Sequence, residues 1–203
     1  MEEKIVYFER PGIKNTEDTL NLAKERALKR KIKHVVFAST RGYTAKKALN
    51  IFKNTDIHLI AIPHQYGSVE GDLFSEVAKK DFEEAGHEVY ISTHLFTTQQ
   101  FWLGNEASGT LAHTLYRFCQ GMKVCVEITL MAANGGKIPL DQDIIAIGGT
   151  DIGADTAIVI RPSTSLKFEN LQIKEVICKP IYSDPVSREV IEERVRRMKT
   201  RKM

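Results

Sequence analysis

The chain has 203 residues, 42% of them hydrophobic and 27% charged, with a net charge of +3. That content is enough for a sizeable core and excludes a disordered chain. The mild charge, with no dense basic patch interleaved with aromatics, argues against a nucleic-acid binder. No apolar run is long enough to span a bilayer, and Met1-Glu2-Glu3-Lys4 does not read as a signal peptide. The mass of 22.9 kDa fits one α/β domain, with at most a short appendage. Cys119, Cys125 and Cys178 form no C-x-x-C pair, and their odd number argues against a disulfide framework. Each sits among apolar residues, so buried thiols and a cytoplasmic location are expected.

Ile5-Val6-Tyr7-Phe8 reads as a first buried strand, and Pro11-Gly12 marks a turn. A helix opens at Asn15-Thr16-Glu17-Asp18, with Thr16 as the expected cap. Leu20, Ala23, Ala27 and Leu28 form its apolar stripe, and Lys29 to Lys33 form a basic end that the helix dipole favours.

His34 to Ala38 is a second strand, and Thr44 to Phe52 has apolar residues at helical spacing. Between them lies Ser39-Thr40-Arg41-Gly42-Tyr43-Thr44. A strand, a hydroxyl-rich turn with one glycine, and a helix is the layout of a phosphate cradle. The first helical turn offers unpaired N–H groups and partial positive charge. Ser39, Thr40 and Thr44 add hydroxyls, Arg41 adds a planar charged fork, and Gly42 lets the backbone bend close to a ligand. An ordinary capped helix, with Thr44 or Ser39 as cap, explains the same spacing equally well. No Lys-Ser/Thr pair follows the glycine, so this is not the triphosphate P-loop.

Ile57 to Ile62 is a third strand, ending at Pro63-His64-Gln65-Tyr66-Gly67. If the strands are parallel, this loop leaves the sheet at the same edge as the Ser39 turn, where ligands bind in open α/β sheets. His64, Gln65, Tyr66 and Gly67 are therefore candidates to face a ligand; a polar loop packed on itself is the alternative. Leu73 to Ala85 is helical, and His87 to Ser92 is a fourth strand. Thr93 to Trp102 reads as a long loop that could cover a ligand, with Phe101 or Trp102 available to stack.

Ser108 to Cys119 is helical, with Leu111, Leu115, Phe118 and Cys119 on one apolar side, and is closed by Gly121. Met122 to Gly136 reads as a buried helix holding one carboxylate, Glu127. A buried carboxylate is paired, protonated or bound to something. Glu127 is a candidate ligand or acid–base group, or the acceptor of a structural hydrogen bond.

Ile144 to Ile147 and Ala157 to Ile160 are strands flanking a glycine-rich loop. Gly148, Gly149 and Gly153 there could admit a ligand to the backbone, with Asp151 and Asp155 as acceptors; a hairpin turn is the alternative. Ile173 to Cys178 is a last strand. Val186 to Met203 is a basic helix with a thin apolar seam, for packing on the body or on a second subunit of a homo-oligomer.

Two features carry a family resemblance. Ala38-Ser39-Thr40-Arg41-Gly42-Tyr43-Thr44-Ala45 resembles the phosphate loop of the pyruvate kinase C-terminal domain, with Arg41 where that pattern has a serine. Residues Met1 to Pro180 resemble a family of stand-alone archaeal proteins of that fold. The segments responsible are Lys4 to Phe8, Lys123 to Thr129, and Gly148-Gly149 followed by Gly153-Ala154-Asp155-Thr156-Ala157. The resemblance implies a three-layer α/β/α domain over 1–180. Its sheet would be five-stranded and mostly parallel with one antiparallel strand, and 181–203 would be a linker and basic helix outside it. It also implies bound FMN, held by Ser39 to Thr44, His64, Tyr66, Gly67, Glu127, Gly148, Gly149, Asp151, Gly153, Ala154, Asp155 and Thr156. The pyruvate kinase barrel is absent, so pyruvate kinase activity is not expected. A regulatory module for a phosphorylated metabolite, such as a sugar phosphate, is the alternative. No motif supports a hydrolase, and no metal site is expected.

Overall fold

The computed structural model describes residues 2–67, 74–96, 98–99 and 104–182. Among these residues seven strands form one sheet: β1 (Val6–Phe8), β2 (His34–Ala38), β3 (His58–Ile62), β4 (Glu88–Val89), β5 (Ile144–Gly148), β6 (Thr156–Arg161) and β7 (Gln172–Pro180). Their order across the sheet is β1-β7-β6-β5-β2-β3-β4. Strands β5, β2, β3 and β4 run parallel to one another, and β6 runs antiparallel to both of its neighbours. The sheet is therefore mixed with one antiparallel strand, as expected, but it has seven strands and not five. The difference lies at the edges. The three residues of β1 add onto the end of β7, and the two residues of β4 add onto β3.

Strands buried on both faces read as continuous apolar runs. In β2, Val35 and Phe37 point into one core and Val36 into the other. Three helices cover the first face: α1 (Thr16–Arg30), α2 (Tyr43–Ile51) and α3 (Glu76–Glu84). Among the described residues two longer helices cover the second: α4 (Glu106–Tyr116) and α5 (Gln120–Asn134). In α5 every residue from 121 to 133 except Val124 is buried, which is what an apolar surface on all sides of a helix requires. Among the described residues no helix is long and apolar enough to cross a membrane.

Three local readings change. Asn15, not Thr16, is the cap position of α1; Thr16 opens the helix and bonds Ile13 and Ala154 instead. Gly121 does not close α4. That helix stops at Tyr116, Cys119 caps α5 with its sulfur, and Gly121 lies in the first turn of α5. Phe118, expected on the buried side, is 55% exposed because it sits in the link between the two helices. All three cysteines are free and buried. The basic C-terminal helix, Phe101 and Trp102 lie outside the described residues.

Candidate functional site

Strand β2 is followed by α2 on the first face, while its neighbour β5 is reached through α5 on the second. The direction of winding thus reverses between β2 and β5. In open α/β sheets the crevice outside the carboxyl ends of such a strand pair is where ligands sit. The turn after β2, the loops after β3 and β4, and the glycine-rich loop after β5 all leave this edge.

The turn after β2 is pinned to the sheet, because the Ser39 amide donates to the Ile62 carbonyl at 3.1 Å. The Ser39 hydroxyl accepts the Ala45 amide at 3.2 Å and so caps α2 from four residues before the helix starts. Ser39 and Thr44 are both buried. Gly42 occupies the cap position with φ of 85°, a left-handed conformation that a side chain resists. Arg41 and Tyr43 are exposed on either side of it. Thr40 faces inward enough for its carbonyl to accept the Phe74 amide at 3.0 Å. The turn is thus held in place by its own hydrogen bonds. It is a capped helix start, and it presents an arginine beside a positive helix end.

A second group of side chains gathers beside it. His64, in the loop after β3, lies 4.7 Å from His94, in the loop after β4, measured between ring centroids. Lys123 and Glu127, one turn apart on α5, form an ion pair at 6% and 3% exposure. Glu127 also accepts the Phe96 amide at 2.8 Å, and the Lys123 ammonium lies 5.7 Å from the Phe96 ring centre. The side-chain oxygen of Gln65, Oε1, accepts the His94 amide at 2.9 Å and the Thr98 hydroxyl at 2.6 Å.

The charges in this group are settled by burial and by one another. His64 is an exposed residue whose ring nonetheless has several protein groups around it. Loss of water, then the neighbouring His94, Lys123 and Arg41, push it down to about 4, against a weaker upward pull from Glu127. Burial also lowers His94, helped by Lys123 and opposed by Glu127. Burial works against the charge on Lys123 and on Glu127, yet their mutual attraction keeps the lysine raised and the glutamate lowered. At neutral pH the site holds two neutral imidazoles beside a buried ammonium–carboxylate pair.

The loop after β5 is built differently. Gly148 pairs with Thr156 across an antiparallel hairpin, so the hairpin reading is the one observed. A Cβ on Gly148 would stand 2.6 Å from the Gly121 carbonyl oxygen, and one on Gly121 would collide with the Thr156 hydroxyl. These glycines let α5 lie close against the ends of β5 and β6. Gly149 packs against Gly153 and Ala154, and Gly153 packs against Thr16 and Ile13 at the start of α1. Asp155 is fully buried and accepts from the Gly12 amide at 3.1 Å, the Thr150 amide at 3.0 Å and the Thr156 hydroxyl at 2.8 Å. It also lies against the first turn of α5, where a carboxylate meets the positive helix end. The protein thus supplies its own anion to α5. Of this loop, Asp151 is exposed, with φ of 59°.

The structure thus brings the Ser39–Thr44 turn, His64 and Glu127 to one edge. Tyr66, 86% exposed, and Gly67 lie on the rim of the same loop as His64. Gly148, Gly149, Gly153, Ala154, Asp155 and Thr156 are engaged with other protein groups. His94 and Lys123 escaped the sequence reading. The i, i+4 spacing of Lys123 and Glu127 within an apolar helix was the available signal, since two buried charges at that spacing must pair. Among the described residues no group of three His, Cys, Asp or Glu could hold a metal ion.

No family model matches the chain. It is similar to the solved structure of Cryptosporidium parvum pyruvate kinase in complex with ADP, at 14% identity and a TM-score of 0.40. That match covers 73% of this chain and 24% of the enzyme. A second pyruvate kinase structure from Cryptosporidium parvum matches at 15% identity and a TM-score of 0.40, over 73% of this chain and 23% of that one. The chain spans about a quarter of the length of these enzymes, and no residue role follows from the likeness.

Proposed function

We propose that the protein binds a phosphorylated small molecule at the carboxyl edge of its parallel strands, and that this ligand is FMN. The observation that carries the reading is the meeting of two features at one edge. The capped start of α2 presents Arg41, and the neutral His64–His94 pair lies within the electrostatic reach of that arginine. A dianionic phosphate suits the first: the left-handed Gly42 and the amides of Tyr43 and Thr44 begin a helix, with the Ser39, Thr40 and Thr44 hydroxyls around them. The rest of the ligand extends toward His64, Tyr66 and Gly67, with Asp151 on the β5 side. Glu127 supports the wall by holding Lys123 and Phe96 and does not touch the ligand.

Bound flavin would supply the redox chemistry, and the protein would supply position and electrostatics. Buried free thiols suit the reducing cytoplasm in which we place the protein.

The polar lining of His64, His94 and Lys123 favours a second reading, a regulatory site for a sugar phosphate. Visible absorption of the purified protein after adding FMN and dialysing tests the first reading. Calorimetric titration with FMN, a sugar phosphate and inorganic phosphate separates the two. Retained flavin colour supports FMN. A tighter sugar phosphate supports the regulatory reading, and no binding of any of the three removes both.

A further inference from the structure

We propose that the cavity between α1 and the start of β1 is a second small-molecule site, and that it takes an α-amino acid with an apolar side chain. Lys4 binds the carboxylate, Glu25 binds the ammonium, and Val6 and Leu22 meet the side chain. The proposal is independent of the phosphate reading above.

Helix α1 ends at Arg30 and β2 begins at His34. The last turns of α1 therefore lie at the amino edge of the parallel strands, at the opposite end of the sheet from the turn after β2. A cavity of about 270 Å³ opens there, between those turns, the residues leading into β1, and β7. That volume exceeds the ~150 Å³ of an engineered cavity that holds benzene. It falls just short of the range of about 300–1,000 Å³ for drug-sized ligands. An amino acid has the intermediate size.

The lining has an apolar part and a charged part. Val6, Leu22 and Ile177 form the apolar floor. Ile177 is buried, so contact with a ligand falls to the half-buried Val6 and Leu22. Around the floor stand Glu3, Lys4, Glu25, Arg26 and Lys29. Three of these five are engaged with other protein groups. Arg26 is buried and pairs with Glu175 on β7, lies 3.4 Å from Glu3, and donates to the Lys4 carbonyl at 3.2 Å. Lys29 pairs with Glu3 at 2.9 Å. This network ties the backbone at Glu3 and Lys4 to α1, so the cavity is held in shape before a ligand arrives.

The other two charges are Lys4 and Glu25. Neither side chain forms an ion pair or a hydrogen bond with a described residue, and they do not pair with each other although they line one cavity. Opposite charges held apart around an apolar floor suit a molecule with both charges at one end and an apolar arm. A carboxylate alone meets Lys4 and is repelled by Glu25; an amine alone has the reverse fault. A zwitterion satisfies both, and its arm removes apolar surface from water.

Titration of the full chain with L-leucine, followed by amide chemical shifts, tests the site. The expected result is saturable shifts at Glu3 to Val6, Leu22 to Lys29 and Ile177, with Ser39 to Thr44 unmoved. Glycine has the charges without the arm and should bind at least about tenfold more weakly, the worth of two buried methylene groups. Lys4→Gln and Glu25→Gln change exposed residues and should leave thermal unfolding as in wild type. Each should weaken L-leucine about twofold to fivefold, the range of an exposed ion pair. Isocaproate keeps the arm and the carboxylate but lacks the ammonium. The wild type should prefer L-leucine to isocaproate, and Glu25→Gln should lose that preference. Absence of saturable shifts at the amino edge overturns the proposal, as do shifts centred on Ser39 to Thr44. Equal affinity for glycine and L-leucine also overturns it, and so does unchanged affinity in both variants.

Discussion

Glu127 lies one helical turn beyond Lys123 in α5, and the two charges pair where both side chains are buried. Removing one partner leaves the other charge buried and alone. Lys123→Met should therefore destabilise the protein by about 3–5 kcal/mol. The double replacement Lys123→Met, Glu127→Met removes both charges and should recover much of that loss, although the Phe96 amide then loses its acceptor. Denaturant unfolding of the two variants measures the difference. Equal stability of the single variant and the wild type would show that the pair carries no such weight.

Most of the fold was legible because apolar runs and helical spacing report burial directly. The seven strand segments each overlap an observed strand, and the buried character of α5 follows from its apolar perimeter. The sheet's edges were less legible. His87 to Ser92 has the composition of a strand, but only Glu88 and Val89 pair with β3. The boundary at Gly121 was misread because a glycine after an apolar run signals a stop. Here the same residue serves close packing on Thr156. The site was legible where one stretch of chain carries it, as at Ser39 to Thr44. It was hidden where loops after different strands converge, since no local spacing links His94 to His64 or to Glu127.

Histidine titration sets the acid limit of stability. His34, His64, His87 and His94 are all lowered, with burial as the leading cause in each. A histidine lowered in the folded state binds more protons when unfolded. Stability therefore rises with pH through the window between the folded and unfolded values. It is lost as pH falls below the ordinary 6.5, with the His64 share continuing down to about 4. Glu127, lowered by Lys123 against the effect of burial, adds a second loss once pH falls below its ordinary 4.5. Thermal unfolding from pH 8 to pH 4 should show a fall in midpoint starting near pH 6.5. A midpoint constant down to pH 5 would contradict the histidine account.

The glycines of the β5–β6 hairpin offer a direct contrast between packing and ligand approach. Gly148→Ala would press a methyl group into the Gly121 carbonyl, and Gly121→Ala would press one into Thr156. Each should cost about 1–3 kcal/mol or more, since neither neighbour is a flexible side-chain tip. Gly42→Ala meets only ordinary contacts, with Ala78 at 3.7 Å and Phe74 at 3.8 Å. Its cost should be the left-handed backbone alone, about 1–2 kcal/mol. Melting of the three variants ranks them. If Gly148→Ala melts like wild type while losing ligand, the loop belongs to the site after all.

The turn after β2 contains two residues that should separate stability from binding. Ser39 is buried and its hydroxyl caps α2 through the Ala45 amide. Ser39→Ala should lower stability by about 1 kcal/mol, the usual worth of such a cap. Arg41 is exposed on the same turn, so Arg41→Ala should change stability by no more than about 0.5 kcal/mol. On the proposed reading its guanidinium would bond the phosphate at the helix start, and such a charge-assisted hydrogen bond is worth about 1.5–3 kcal/mol. Loss of that bond corresponds to roughly 10- to 150-fold weaker binding. Calorimetric titration with FMN, or with the phosphorylated ligand found to bind best, reads this against the unfolding data. A weaker fold with intact affinity in Arg41→Ala would remove the arginine from the phosphate site. It would leave the turn as the capped helix start that its spacing equally describes.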